Sequence, residues 1–197
     1  MKIRKAEQKD IEGIYRVASS TGKKLKNLQH GFLMDNYESD PEGFKNKFKR
    51  DIKLSDFFYV AEYSDNRTHV IVGFIFGLAK DNWLKRTPNW LEDCSFRPNF
   101  NMDNLKDYVI LEKIAVLDKY NRQGVGSMLS KRFFKDLKRN GIHDMFEEVI
   151  IAPAPNIPSL MFKKKRNLKL AATRFEEHNS KILTTLIYHK KIELDHF

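Results

Sequence analysis

The segment that most constrains the fold is LEKIAVLDKYNRQGVGSML, residues 111–129. An apolar strand pattern over residues 108–116 runs into a polar turn with glycines at 124 and 126, and a helical pattern follows. Glycines allow a tight turn that exposes consecutive N–H groups, and the positive end of a helix dipole adds to their attraction for an anion. The segment predicts a strand, a turn and a helix whose start suits a pyrophosphate, although a bare turn also explains Gly-x-Gly.

The rest of the chain alternates between strand and helix patterns, which indicates an α/β fold. We predict strands at 2–5, 57–63, 70–79, 108–116, 148–152, 171–176 and 183–190, and helices at 9–19, around Phe44 and Phe48, from Val125 to the Asn140–Gly141 stop, and at 158–165. The strand at 70–79 is apolar on both faces, which is typical of a central position in a sheet. Residues 81–107 are expected to have little regular structure. No internal repeat or linker divides the chain, so we expect a single domain over residues 1–197.

The composition favours an ordinary globular protein, with 41% hydrophobic and 31% charged residues. No apolar run approaches the roughly 20 residues that span a bilayer, and the first ten residues lack the apolar centre of a signal peptide. The one cysteine, Cys94, excludes an internal disulfide, and the histidines lack metal-ligand spacing. We therefore expect a cytoplasmic protein with no membrane partner and no metal.

The formal net charge of +10 raises the question of a polyanionic partner. Basic residues are concentrated at 119–140 and 163–169, on either side of the predicted anion site. Aromatic residues do not alternate with these lysines as a base-stacking surface requires, which disfavours direct nucleic-acid binding. Part of the positive charge is expected to attract a phosphorylated cofactor.

The strand and glycine turn resemble the pyrophosphate loop of the GNAT superfamily of N-acetyltransferases. That loop reads Gln/Arg-x-x-Gly-x-Gly/Ala, and NRQGVG at 121–126 has the same spacing, with Asn121 in place of Gln or Arg. The resemblance implies acetyl-CoA as cosubstrate, with main-chain contacts from the end of the strand and phosphate contacts from the loop. The implied cofactor residues are Ile114, Ala115, Val116, Arg122, Gln123, Gly124, Val125, Gly126 and Ser127.

Residues 156–168, NIPSLMFKKKRNL, resemble a second motif of the same family. The residues that match and extend the implied cofactor site are Asn156, Ser159, Phe162 and Lys165. Asn167 replaces a glycine, and asparagine is the best other occupant of left-handed backbone. Lys163 replaces a tyrosine that often protonates the departing CoA thiolate in the family, so the general acid is left open among Lys163, Tyr108, Tyr188 and solvent.

The resemblance also implies an architecture: a mixed α/β (α+β), mostly antiparallel central sheet of six to seven strands flanked by helices. The family's strands 4 and 5 are parallel and splay apart, and the pantetheine arm of CoA enters the gap. Residues 20–56 and 81–107 fall where the family shapes its acceptor pocket. Within the first of these ranges, Phe32, Asp35 and Tyr37 are the candidate acceptor residues, and an alternative is that they only pack against the core.

The implied reaction moves an acetyl group from acetyl-CoA to a primary amine by direct attack in a ternary complex. Glu112 is the candidate base, directly or through a water, and a surface glutamate paired with Lys113 is the alternative. A backbone N–H near Ala115 or Val116 would stabilise the oxyanion. Two other functions remain open: a CoA-binding sensor or partner module, and an acetyltransferase for a protein or nucleic-acid-associated acceptor. The sequence leaves the acceptor, the acyl chain and a homodimer undetermined.

Overall fold

The fold is a mixed α/β sheet with helices on both faces. The computed structural model describes residues 1–23, 28–29, 31–65, 68–178 and 180–192. The strands are β1 (Lys2–Lys5), β2 (Phe57–Ser64), β3 (His69–Ala79), β4 (Cys94–Phe96), β5 (Tyr108–Val116), β6 (Asp144–Ala152), β7 (Lys169–His178) and β8 (Lys181–Lys191). The helices are α1 (Ile11–Thr21), α2 (Pro41–Leu54), α3 (Lys80–Arg86), α4 (Trp90–Asp93), α5 (Val125–Arg139) and α6 (Ile157–Lys165).

The strands form one sheet in the order β1-β2-β3-β5-β6-β8-β7-β4. Every neighbouring pair is antiparallel except β5 and β6, which are parallel. β3 lies inside the sheet between β2 and β5, as its apolar residues on both faces predict. The predicted mixed, mostly antiparallel architecture with one parallel pair is confirmed.

The parallel pair separates partway along its length. β5 and β6 pair only where Tyr108–Leu111 lies opposite Asp144–Glu147. Beyond that point β5 stays paired with β3 as far as Val116, and β6 stays paired with β8 as far as Ala152. Each strand is held by its other neighbour, so the two diverge and leave a gap that we call the split.

The prediction of six to seven strands was wrong by one element, because the described residues form eight. The additional strand, β4, pairs with β7 at the sheet edge. Residues 81–107 were expected to have little regular structure, yet they carry α3, α4 and β4. The physical reason is that Trp83 and Trp90 are buried in the core and hold this segment against the sheet.

Helices cover the two faces of the sheet unequally. α1 and α2 pack on one face, the α1/α2 face, where Phe58, Phe74 and Phe146 belong to the core. α5 packs on the opposite face, the α5 face, through residues such as Leu129 and Phe133. Among the described helices, none is both long and apolar enough to cross a membrane.

Candidate functional site

The start of α5 forms an anion cradle. Gly124 precedes the helix with a left-handed φ of 81°, and Arg122 two residues earlier has a φ of 62°. A Cβ built on Gly124 would meet nothing within 4 Å, so the space beside this backbone is open. The N–H groups of the first helical residues, 125–127, have no acceptor inside the helix. The loop therefore presents several donors at the positive end of the helix dipole.

The cradle lies beside the split. A Cβ built on Gly126 would be 3.8 Å from the Phe162 ring of α6 and 3.9 Å from Ile114 of β5. This close approach places the start of α5 between β5 and α6. The Arg166 guanidinium lies 4.4 Å from the centre of the Phe162 ring and adds positive charge near the same place.

The split exposes two strand edges to each other. Residues 112–116 of β5 and 148–152 of β6 border it without pairing across it. Ala115 belongs to the core on the α1/α2 face, whereas Ile114 and Val116 pack on the α5 face. The expected cofactor residues at 114–116 thus line an opening between strands, where an extended molecule could bind the free backbone groups.

Asn156 connects α6 to the segment between α1 and α2. Its Oδ1 accepts a hydrogen bond from the Ser159 N–H at 3.3 Å and caps α6, and its Nδ2 donates to the Phe32 carbonyl at 2.8 Å. Phe32 lies in the segment between α1 and α2 and is mostly buried. The structure therefore brings an expected cofactor residue into contact with an expected acceptor residue.

Lys163, in the family's tyrosine position, is buried in an ion pair. Its Nζ lies 2.6 Å from Glu147 Oε2, and both side chains are 3% exposed. Nζ also donates to Ser159 Oγ at 3.0 Å. Because Glu147 is the last β6 residue that pairs with β5, this ion pair marks the beginning of the split on the side of α6.

A β-bulge determines the position of Glu112. Lys113 pairs with Phe76 and Leu111 pairs with Gly77, so Glu112 is an extra residue in β5. Strict alternation would place Glu112 and Lys113 on opposite faces. With the bulge, both side chains lie on the α1/α2 face and contact each other.

Glu112 is held by two cations. Lys113 Nζ donates to Oε1 at 2.8 Å, and Arg86 Nη1 donates to Oε2 at 2.5 Å. Burial alone would raise the pKa of Glu112, but Lys113 and Arg86 outweigh it and lower the pKa below its ordinary value. Arg86 also forms an ion pair with the buried Asp51 of α2. Glu112 is therefore an ionised carboxylate in a network of ion pairs that includes Lys113, Arg86 and Asp51.

Two of the three candidate acceptor residues, Asp35 and Tyr37, lie near this network of ion pairs. The Tyr37 hydroxyl donates to Asp35 Oδ2 at 3.3 Å, and Lys113 Nζ is 3.7 Å from the same oxygen. Burial raises the pKa of Tyr37. Asp35 and Tyr37 thus lie on the α1/α2 face, opposite the cradle, and Phe32 precedes them in the same segment. Residues 24–27 and 30, in the segment expected to shape the acceptor pocket, lie outside the described residues.

Sequence reasoning missed Glu148 on β6. The Trp90 indole N–H donates to its Oε1 at 2.6 Å, and Arg174 Nη1 lies 3.5 Å from the same atom. Burial raises the pKa of Glu148 above its ordinary value, more than the Trp90 and Arg174 contacts lower it. The available signal was the adjacent acids Glu147 and Glu148 in the apolar strand MFEEVIIA, where two charges need specific partners.

The remaining predicted residues have less defined environments. Arg122, Gln123, Ser127 and Lys165 are exposed around the cradle, and Val125 is buried beneath it. Gln123 Nε2 donates to the Lys119 carbonyl at 2.7 Å and so stabilises the loop. Asn167 has a φ of 56°, the left-handed backbone predicted for it. Within the described ranges, no group of three or more His, Cys, Asp or Glu side chains could hold a metal ion.

Comparison with known proteins agrees with this geometry. The model of the Acetyltransferase (GNAT) family matches residues 24–165, which is more than half of the chain. The sheet with its split parallel pair and glycine cradle has the architecture of an acetyltransferase fold. The chain belongs to the GNAT acetyltransferase family.

Solved structures share the fold at low sequence identity. PaiA N-acetyltransferase from Thermoplasma acidophilum, in complex with coenzyme A, is 19% identical, with a TM-score of 0.61 over 96% of this chain and 98% of that one. YncA from Salmonella typhimurium, solved with acetyl-CoA, is 14% identical, with a TM-score of 0.61 over 99% and 95%. Ard1 from Thermoplasma volcanium is 19% identical, with a TM-score of 0.60 over 98% and 97%. No curated protein sequence matches the chain.

Proposed function

We propose that this protein transfers an acetyl group from acetyl-CoA to a primary amine by direct attack in a ternary complex. One observation carries the proposal: β5 and β6 stop pairing after Leu111 and Glu147, beside a helix start with a left-handed glycine. A long cofactor fits both features, because its diphosphate would bind at the helix start while the arm that ends in the thioester would lie in the split. The structures of PaiA with coenzyme A and of YncA with acetyl-CoA support it by shared fold.

In this proposal the diphosphate binds the N–H groups at the start of α5, and the pantetheine arm runs through the split. The main chain of residues 114–116 would bind the arm as an added strand. A backbone N–H near Ala115 or Val116 would donate to the oxygen that becomes negative when the amine attacks. Asn156, Ser159 and Phe162 would shape the wall formed by α6.

The amine would enter from the α1/α2 face, past Phe32, Asp35 and Tyr37. Carboxylates near the split would attract a cationic amine and accept its proton. The prediction that Glu112 is the base requires one of its oxygens to leave Lys113 or Arg86, or a water to relay the proton. Among the candidate proton donors for the thiolate, Tyr108 lies at the paired end of β5, whereas Lys163 and Tyr188 both lie beside Glu147.

A matched pair of glycine variants tests the cofactor site. Gly124→Ala places a methyl group in the open space of the cradle, at a φ of 81°. Gly141→Ala places one in equally open space at a φ of 69°, beyond the other end of α5. Each should cost about 1 kcal/mol of stability, because alanine resists left-handed backbone.

Calorimetry distinguishes the two variants. We expect only Gly124→Ala to weaken acetyl-CoA binding, by about tenfold or more, because losing one hydrogen bond to a charged group costs about 1.5–3 kcal/mol. Equal affinity in both variants would mean that the cradle does not hold the cofactor.

A second function, a CoA-binding module without turnover, is favoured by the burial of Lys163. Its ammonium group is already engaged by Glu147 and Ser159, at the position where the family often has a proton donor. A thiol-release assay with acetyl-CoA and a panel of primary amines separates the two functions. Release of CoA that depends on an amine supports the enzyme, and binding without release supports the module.

A further inference from the structure

The two arms of the split carry one carboxylate each on the α1/α2 face. Glu112 extends from β5 at the bulge, and Glu148 is the first β6 residue beyond the last pair with β5. Contacts with Trp90 and Arg174 place the Glu148 side chain on the α1/α2 face, where the proposed acceptor enters. The two carboxylates have different environments.

Both oxygens of Glu112 are occupied, one by Lys113 and the other by Arg86. At Glu148 the contacts from Trp90 and Arg174 both reach Oε1. Among the described residues, Oε2 of Glu148 has no partner, and the side chain is 21% exposed. Of the two carboxylates, only Glu148 has an oxygen available to receive a proton.

We propose that Glu148 is the base that deprotonates the acceptor amine, and that Glu112 instead positions Lys113 and Arg86. This inference rests on the proposed acetyl transfer and adds a catalytic residue to it. Adjacent titratable groups whose surroundings shift their pKa values in opposite directions often divide their roles in this way. The raised pKa of Glu148 and the lowered pKa of Glu112 agree with that division.

The groups that face Glu148 explain how its affinity for a proton is set. Trp90 of α4 donates to it, and Arg174 of β7 contributes a positive charge. Arg174 is shared with two more carboxylates, Asp93 at 3.6 Å and Glu176 at 3.0 Å. Cys94 of β4 is also nearby, and burial raises its pKa to about 12, so it stays neutral. Three carboxylates around one arginine leave excess negative charge, which favours both a cationic acceptor and proton uptake.

The proposed step is balanced as follows. The acceptor ammonium gives one proton to Glu148 Oε2, and the amine lone pair then forms the C–N bond to the thioester carbonyl carbon. When the C–S bond breaks, sulfur leaves with the electron pair. The nitrogen loses a second proton and the thiolate gains one, which yields an amide and CoA thiol. Glu148 then releases its proton to solvent.

The first test needs no acceptor. Glutamate carboxyl carbons labelled with ¹³C would be titrated by NMR in the CoA-bound protein, with Glu148→Gln and Glu112→Gln identifying the two signals. We expect the Glu148 signal to titrate above the reference value of about 4.3 and the Glu112 signal below it. Glutamine keeps an oxygen for the Trp90 N–H, so Glu148→Gln should fold. A Glu148 signal that titrates at or below the reference value overturns the proposal.

The second test measures acetyl transfer against pH with ethylamine, spermidine and a peptide with a free N-terminus as probes. Glu148→Gln should lower kcat/KM about 100-fold or more and remove the acid limb of the profile. Acetyl-CoA binding should not change, because the cofactor enters from the other face. The matched control, Glu177→Gln, removes an exposed carboxylate from the same strand as Arg174. It should keep the wild-type rate and an unchanged acid limb.

These two tests distinguish a wrong assignment of Glu148 from failure of the proposed function. An active wild type whose pH profile survives in Glu148→Gln overturns the role of Glu148 alone. A wild type that binds neither acetyl-CoA nor CoA overturns the proposed function itself. If the wild type binds CoA and acetylates none of the three probes, the carboxyl titration decides.

Discussion

The charged residues around the split differ in how completely they are paired. Glu112, Lys163 and Glu147 are fixed in ion pairs with short contacts, whereas Glu148 keeps one oxygen free among the described residues. Taking a charge out of water costs several kcal/mol, which is recovered only when partners are close. The fixed charges therefore define geometry, and the incompletely paired one is available for chemistry.

The ion pairs of Glu112 predict a pH-dependent contribution to stability. Because Lys113 and Arg86 lower the pKa of Glu112 in the folded protein, its contribution is present above the unfolded pKa of about 4.3 and is lost as the pH falls through the folded pKa. Glu112→Gln should lower the free energy of unfolding by about 2 kcal/mol at pH 7.

Urea unfolding of both proteins between pH 3 and 7 checks this prediction. The difference between wild type and variant should shrink below a pH of about 4.3. A difference that stays constant across this range would show that the two cations do not hold the carboxylate as described.

The Lys163–Glu147 pair predicts a coupled effect. Lys163→Met leaves Glu147 buried without a counter-charge and should cost about 3–5 kcal/mol. The double variant Lys163→Met with Glu147→Met should recover most of this loss, since apolar residues of similar volume replace buried ion pairs well. Thermal and urea unfolding measure both.

Measuring kcat in the same variants separates a structural role of the Lys163–Glu147 pair from a chemical one. If the ammonium group stabilises the departing thiolate, the double variant regains stability without regaining kcat. Full recovery of kcat along with stability would assign the pair a structural role only.

At the residue scale, the sequence predicted those features that follow from the backbone conformations each residue type tolerates. Asn167 in left-handed backbone and the turn at Gly124 both follow from which residues tolerate positive φ. The partners of Glu148 could not be predicted, because Trp90 and Arg174 come from segments 58 and 26 residues away. Only the sheet order brings these segments together.

Among the elements, the split depends on strands that are each held from outside. β3 holds β5 and β8 holds β6, and Asn156 joins α6 to the segment between α1 and α2. The sequence predicted most of these elements from their periodicity. It could not predict the β-bulge at Glu112, because an extra residue in a ladder leaves no trace in an apolar pattern. β4 was missed because three residues are too few to show alternation.

Two variants of Asn156 separate its role as the cap of α6 from its hydrogen bond to the Phe32 carbonyl. Asn156→Asp keeps an oxygen to cap α6 but loses the Nδ2 donor to the Phe32 carbonyl, whereas Asn156→Ala loses both. Asn156→Ala should be about 1 kcal/mol less stable than wild type, as for other lost helix caps. Asn156→Asp should retain that cap energy.

Steady-state kinetics completes this comparison. Losing the contact with Phe32 should raise KM for the amine in both variants, more than KM for acetyl-CoA. A rise confined to acetyl-CoA would place Phe32 outside the acceptor site.

For the whole molecule, the net charge of +10 and the two-sided sheet have separate consequences. The exposed Arg122 precedes the anion cradle and Arg166 lies beside it, whereas Asp93, Glu148 and Glu176 share one arginine on the opposite face. An anionic cofactor and a cationic acceptor would thus approach opposite faces. The family, the fold and this distribution of charge all support acetyl-CoA as the cosubstrate.

The most direct test of the account is a calorimetric titration of the wild-type protein with acetyl-CoA, paired with its thermal unfolding. Binding to the native state should release or absorb measurable heat, and ligand at 100 times Kd should stabilise the fold by about 2.7 kcal/mol. A folded protein that shows neither heat nor a shift in Tm with acetyl-CoA or CoA would contradict the central claim that the split between β5 and β6 holds this cofactor.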